Sequence, residues 1–383
     1  MRITGGQVFT GRFVFEEKEV LIRDGVFADA REDAGMSAEE VLDASGCYVI
    51  PGLIDLHFHG CVGKDFCDGT IEALDAIAAY EAQNGITAIC PAALTLDAEE
   101  LKGILRNGYA CAQRERTPQR ADLIGINMEG PFISRAKKGA QNEVFIRPCD
   151  AKLCREFYEA SGGLLKIIGL APEENPDHAE YIREVKGFVK VSLAHTAADY
   201  DTAMSAIRAG ACHAVHLYNA MPEMLHRAPG VIGAVRDSAG VTAELICDGQ
   251  HVHPSAVRAA FDMLGAERIV LISDSLRATG LGDGRIDLGG QEVLVKGSRA
   301  VLVSEGCLAG SVTNLLNCMR EAVLHMGIPL EQAVRCASAN PARVIGADDG
   351  YGSIAPGKRG NVLLLRREDL SLQAVIKDGV RIR

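Results

Sequence analysis

The feature that most constrains this chain is an alternation. Between residues 53 and 274, short apolar runs take turns with longer amphipathic ones. The apolar runs at 53–59, 86–91, 123–129, 165–172, 188–195, 214–218, 243–247 and 269–274 read as strands. The runs at 70–84, 97–114, 151–161, 177–185, 200–209 and 254–264 read as helices. Strand-then-helix units in series imply parallel strands joined by right-handed crossovers. Eight of them suggest a closed (β/α)8 barrel, with an open doubly wound sheet as the alternative.

The flanks have another texture. Short strand patterns occupy 2–10, 12–15, 19–23 and 47–50, and strand patterns return at 351–354, 362–365 and 374–382. Isolated hairpins are marginal in water, so the two ends are expected to share one sheet structure. The expected fold class is therefore α/β: a (β/α)8 barrel over 53–346, with a small β-sandwich domain built from both termini, 1–52 and 347–383. A barrel takes about 250 residues, so a length of 383 accommodates both parts. A further hairpin is expected at 292–303, followed by helices at 311–325 and 330–338.

Composition excludes several functions. The formal net charge is −11, which makes a general nucleic-acid binder a poor reading. No apolar run reaches the ~18 residues of a membrane span. The 12 cysteines include no Cys-x-x-Cys pair, and the start lacks a secretory pattern. They read as buried small hydrophobes of a cytoplasmic protein.

The chemistry collects at the ends of the apolar runs. In Asp55-Leu56-His57-Phe58-His59, strand alternation would turn both imidazoles to one face. The C-terminal ends of parallel barrel strands carry the active site. Other runs stop at Glu129, His195 and Asp274, and the sixth carries His216. Apolar strands that repeatedly end on ligand-type side chains are hard to explain by packing. The set His57, His59, Glu129, His195, His216 and Asp274 offers imidazole and carboxylate without thiolate. That suits one or two divalent ions, with zinc the first expectation and iron, manganese, cobalt or nickel the alternatives. An ion of this kind makes hydroxide available near neutral pH, so the sequence predicts metal-assisted hydrolysis. His213 is expected to be structural, and His178 and His325 are expected to be surface or packing residues.

With these residues assembled, the chain resembles the amidohydrolase superfamily and, within it, the N-acetylglucosamine-6-phosphate deacetylase family. The resemblance rests on Pro51 to Gly60, Met128-Glu129-Gly130-Pro131-Phe132, Lys137-Lys138-Gly139-Ala140, Leu170-Ala171-Pro172-Glu173 and Ala194-His195-Thr196. It extends through His216-Leu217-Tyr218-Asn219-Ala220-Met221-Pro222, Arg227-Ala228-Pro229-Gly230, Cys247 to Val252, Leu271 to Asp274 and Leu308-Ala309-Gly310-Ser311. It implies removal of acetate from N-acetyl-D-glucosamine 6-phosphate, giving D-glucosamine 6-phosphate, by attack of a metal-bound hydroxide with Asp274 as general base and acid.

Residue by residue, it implies Glu129, His195 and His216 around one ion and His57 and His59 at a second. It implies Asn219, Ala220 and Arg227 around the phosphate, with Arg227 reaching across a homodimer. His251 would meet a sugar hydroxyl, and Leu308, Ala309 and Gly310 would line the site with Ala140. Gln141 stands where the family commonly has histidine, and would donate to the oxyanion without carrying charge. The departures leave another N-acetyl amino sugar 6-phosphate, such as N-acetylgalactosamine 6-phosphate, as an alternative substrate. A different metal-dependent amidohydrolase is disfavoured because its fourth strand commonly offers a lysine ligand, where this chain has Pro172-Glu173. A non-catalytic sugar-phosphate binder should have lost ligands, and none is missing.

Overall fold

The computed structural model describes residues 1–29 and 40–383. Eight strand positions build the barrel: Leu53–Asp55, Ile86–Ile89, Ile126–Phe132, Leu165–Leu170, Lys190–Leu193, His213–Ala214, Thr242–Ile246 and Ile269–Ile272. Neighbours from the third to the eighth pair in parallel. The second pairs with the first, and its continuation Ala92–Ala93 pairs with the third. The first and eighth lie in different hydrogen-bonded sheets. Their junction is closed by other contacts. The Asp274 N–H donates to the His57 carbonyl at 2.9 Å and the His59 N–H to the Ser275 carbonyl at 2.7 Å. Below them, the Ser273 hydroxyl donates to Asp55 Oδ2 at 2.5 Å. The alternative of an open sheet is thereby excluded.

Helices Ile71–Gln83, Ala98–Ala112, Ala151–Ala160, His178–Val185, Tyr200–Ala209 and Pro254–Leu264 follow their strands as the pattern predicts. Their N-caps are mostly polar. Thr70, Asp97, Asp150 and Asp199 each accept a backbone N–H of the first turn, which satisfies a donor the helix leaves open. Helix Gly230–Asp237 was not expected from the sequence. It is only eight residues long, begins and continues with the poor helix formers Gly230 and Gly233, and buries Gly230 to Val235 throughout. The hairpin at 292–303 gains a third strand, giving Gly284–Leu288, Gln291–Lys296 and Arg299–Leu302. The 351–354 segment is not a strand.

The termini fold together. A six-stranded sheet combines Gln7–Phe9, Phe15–Glu17 and Cys47–Pro51 with Val362–Arg366, Leu372–Lys377 and Val380–Arg381. A four-stranded sheet of Arg2–Thr4, Val20–Arg23, Val26–Ala28 and Val41–Asp43 packs on it. Ile3, Val8, Ile22 and Phe27 share one core with Val49, Val362, Leu364 and Ile376. The fold is thus a (β/α)8 barrel with a small β-sandwich contributed by both ends. Lys377 ties the two together. Its side chain is fully buried, and its ammonium donates to Asp122 Oδ1 and Asp378 Oδ2, each at 3.0 Å.

Candidate active site

Most of the ligand-bearing strands stop earlier than the sequence suggests, and their chemistry begins where they stop; Glu129 is the exception, lying inside Ile126–Phe132. His57 and His59 follow Leu53–Asp55, His195 follows Lys190–Leu193, and His216 lies two residues beyond Ala214. Strand alternation therefore does not aim them. Local backbone does. His195, His216 and Asp274 adopt positive φ of 43°, 26° and 48°, a region costly for residues with a Cβ. Such strain, held by the surrounding barrel, clusters at functional sites.

Two close backbone approaches complete the frame. A Cβ on Gly169 would lie 2.1 Å from the Glu129 carbonyl oxygen, so only glycine lets the fourth strand run against Glu129. Gly310, at φ 63°, packs against the Asp274 carbonyl, where a Cβ would come within 2.8 Å.

Glu129 is the centre. Its Oε1 meets His195 Nε2 at 2.7 Å and His216 Nε2 at 2.9 Å. Its Oε2 lies 3.4 Å from His59 Nε2 and also receives the Gln141 amide. His57 Nε2 lies 3.6 Å from Glu129 Oε1 and 3.9 Å from Asp274 Oδ1, and His59 Nε2 is 3.3 Å from that same Oδ1. Two donor groups result, His57 with His59 and Glu129, and Glu129 with His195 and His216. They share one carboxylate.

Each imidazole is oriented from behind through Nδ1. Glu244 holds His57 at 2.7 Å, while main-chain carbonyls hold the others: Ala92 for His59 at 3.2 Å, Lys137 for His195 at 2.8 Å and Asn219 for His216 at 3.1 Å. With Nδ1 carrying the proton, every Nε2 lone pair faces inward. This is the usual support of a metal-ligating histidine. All these side chains are buried.

The carboxylates favour positive charge at this cluster, the charge a bound cation would supply in place of protons on the imidazoles. Burial opposes charge at His57, but the Glu244 and Glu129 carboxylates outweigh it and hold His57 well above the ordinary histidine range. Burial likewise opposes charge at Glu129, yet His195, His216 and His57 hold it well below the usual carboxylate range. Asp274 is also lowered, against burial, by the adjacent His59 and His57. Two ionised carboxylates facing inward imidazoles make a pocket that favours a cation. His57 Nε2 and Asp274 Oδ1 are buried with no hydrogen-bond partner. Buried polar atoms seldom stay unpaired, and a divalent ion would engage both. The donor set therefore fits the expected metal.

A cleft of about 330 Å³ opens over this cluster. Ala140, Gln141, Asn219, Ala220, His251, Leu308 and Gly310 line it beside His59, Glu129, His195, His216 and Asp274. Ala309 is buried and does not line it, and neither does Arg227. Arg227 lies in an exposed stretch with Met224 and Leu225, its guanidinium facing the His226 ring at 2.5 Å. Gln141 is fixed by the Thr95 N–H, which donates to its Oε1 at 2.8 Å and so turns its NH2 toward Glu129.

His213 donates to Glu244 Oε1 at 3.0 Å, a supporting position. His178 reaches Ser205 at 3.1 Å, and the exposed His325 pairs with Glu321 at 2.7 Å. The sequence reading missed three carboxylates. Glu244 sits mid-strand in an apolar run, a location whose anomaly was itself a signal. Asp55 links the first and eighth strands. Asp248 accepts both the N–H and Nδ1–H of His251, at 2.9 and 2.8 Å.

A barrel whose strand ends converge on imidazoles and carboxylates around a shared glutamate has the architecture of a metal-dependent hydrolase. Residues 48–382 match the model of the amidohydrolase family, and the chain belongs to that metal-dependent family. Its relatives narrow the comparison. It is 37% identical to N-acetylglucosamine-6-phosphate deacetylase of Bacillus subtilis, covering 86% of this chain and 83% of that one. It is 35% identical to N-acetylgalactosamine-6-phosphate deacetylase of Escherichia coli O157:H7, covering 91% of each. Among solved structures, N-acetyl-D-glucosamine-6-phosphate deacetylase from Mycobacterium smegmatis superposes over all of both chains, with a TM-score of 0.91 and 29% identity. An aspartate-to-alanine variant of that mycobacterial enzyme, in complex with N-acetyl-D-glucosamine 6-phosphate, matches with a TM-score of 0.91 and 30% identity, over 100% of this chain and 98% of that one.

Proposed function

We propose that this chain removes acetate from N-acetyl-D-glucosamine 6-phosphate, giving D-glucosamine 6-phosphate and acetate. The observation that carries this reading is the buried cluster around Glu129, lying at the floor of a cleft of sugar-phosphate size. The bacterial and mycobacterial relatives support the substrate. The E. coli relative favours one second reading, N-acetylgalactosamine 6-phosphate.

His57, His59, Glu129, His195, His216 and Asp274 would hold one or two divalent ions, zinc first and iron, manganese, cobalt or nickel next. When bound, such an ion polarises the acetyl carbonyl and makes a water acidic enough to attack near neutral pH. The chain's own groups do the rest. Asp274, held ionised beside His59, takes a proton from the attacking water. The carbonyl carbon gains the new C–O bond. The Gln141 amide, turned inward by Thr95, donates toward the oxyanion. Asp274 then delivers its proton to the sugar nitrogen as the C–N bond breaks, so the amine leaves neutral. Glutamine keeps this donor role at every working pH, where histidine would titrate.

His251, held by Asp248, would meet a sugar hydroxyl. Asn219 and the Ala220 N–H would meet the phosphate, with Arg227 of the partner subunit closing on it in a homodimer. Ala140, Leu308 and Gly310 would shape the walls, with Ala309 packed behind them. Remote binding of the phosphate orients the amide for attack. We further place the domain boundaries at 52/53 and 346/347 and the enzyme in the cytoplasm. Among the described residues no helix is long and apolar enough to cross a membrane.

The test is acetate release from N-acetyl-D-glucosamine 6-phosphate. Chelation should remove nearly all turnover, and added Zn²⁺ should restore it. Full activity after complete metal removal would sink the mechanism. Faster turnover of the galactosamine isomer would transfer the substrate reading to it.

A further inference from the structure

We infer that Glu244 is a positioning residue that sets whether the second ion binds, because among the described residues it alone holds the His57 ring at Nδ1. This rests on the reading that the cluster holds two ions. Among the four inward-facing imidazoles, three are held by main-chain carbonyls and one by a carboxylate. The exception is His57. A carbonyl is fixed by the fold itself. The support of His57 depends on one side chain.

Glu244 sits in the seventh strand, Thr242–Ile246, and is fully buried. A carboxylate in a barrel interior needs several donors to be tolerated. It has three. His57 Nδ1 donates to Oε2 at 2.7 Å, the His216 backbone N–H donates to that same oxygen at 3.1 Å, and His213 Nε2 donates to Oε1 at 3.0 Å. His213 is braced by Thr242 Oγ1 at 2.7 Å from its Nδ1. One carboxylate thus touches a ligand of each donor group, but in unequal ways. It meets His57 at the ring and His216 only at the main chain. The ring of His216 keeps its own support from the Asn219 carbonyl. Loss of Glu244 should therefore disturb the His57–His59–Glu129 group and spare Glu129–His195–His216.

A ligand histidine backed by a carboxylate is fixed in tautomer and made more basic, and losing such a partner typically weakens metal affinity ~10–100-fold. The experiment counts ions. Wild-type and Glu244→Gln proteins are loaded with Zn²⁺, and content per subunit is measured by elemental analysis alongside chelator-competition titration. Wild type should bind two ions. The variant should hold one with near-wild-type affinity, while the other binds ~10–100-fold more weakly. Equal weakening of both ions, or no weakening, overturns the inference. A wild type that binds fewer than two ions overturns the two-ion reading as well, a result visible before any variant is made.

A second measurement needs no variant. With ¹¹³Cd²⁺ as the ion and ¹⁵N-labelled histidine, His57 should couple to cadmium through Nε2 and retain its Nδ1 proton. Coupling through Nδ1, or loss of that proton, overturns the proposal even if Glu244→Gln fails to fold.

Discussion

Asp274 shows how far a single residue can be read. Its apolar run ends on a carboxylate, which marked it in the sequence, and in the structure it stands 3.3 Å from His59 Nε2 at the floor of the cleft. As the proton carrier of the proposed reaction it is worth what general acid–base catalysis is worth. Asp274→Asn should lower kcat ~10²–10⁴-fold while circular dichroism and the melting curve stay near wild type; turnover within threefold of wild type would remove the role. The candidate metal ligands were legible because most of them close an apolar run, whereas Gln141, Asn219 and His251 were marked only by the family resemblance. Those that act from behind were less so. Glu244 is enclosed by Ala243 and Leu245 in mid-strand, and Asp55 precedes the His-x-His pair without any periodic signature. Their partners lie 187 and 218 residues away along the chain. No local pattern encodes such a pairing.

At the scale of elements, the strand–helix alternation was legible because barrel helices bury one face and barrel strands bury both. Helix Gly230–Asp237 was not, since it spans only eight residues and two of them, Gly230 and Gly233, are poor helix formers. Helix Ile71–Gln83 carries a more instructive irregularity. Glu81 lies on its buried face, with Oε2 unpartnered. Burial, reinforced by the nearby Asp55, pushes Glu81 well above the usual carboxyl range. A carboxyl that binds its proton more tightly when folded adds stability that is complete below its unfolded value, about 4.3. That stability is lost as pH rises toward the folded value. Urea unfolding between pH 5 and pH 7 should therefore show wild-type stability falling with a contribution of up to ~1.4 kcal/mol per pH unit. Glu81→Gln, which cannot ionise, should flatten that slope; an unchanged slope would show that Glu81 does not titrate in this window.

The whole molecule adds constraints that no element holds. If Arg227 serves the partner's cleft, Arg227→Ala and Asp274→Asn proteins should each be nearly inactive, yet co-expression should recover about a quarter of wild-type activity. Half of a random mixture is heterodimer, and each heterodimer has one intact site. No recovery would place Arg227 in its own subunit's site. Within one subunit, Lys377 joins sandwich to barrel. Asp122 also accepts from the Tyr351 hydroxyl at 2.7 Å and lies 3.9 Å from Arg359 Nε. Lys377→Met should remove the main cationic partner of Asp122 and cost about 3 kcal/mol in urea unfolding; a loss below 1 kcal/mol would mean that Arg359 and Tyr351 suffice. The β-rich flanks made a shared terminal structure legible, but not the partner of each strand. That partnership has a consequence in time. Cys47–Pro51 lies between Gln7–Phe9 and Val362–Arg366 in one sheet. At synthesis rates of about 5–20 residues per second, the later strand leaves the ribosome roughly 15–60 seconds after the earlier one. Through that interval Cys47–Pro51 has one unpaired edge, so a nascent chain passes most of its synthesis with a docking groove open to any passing strand.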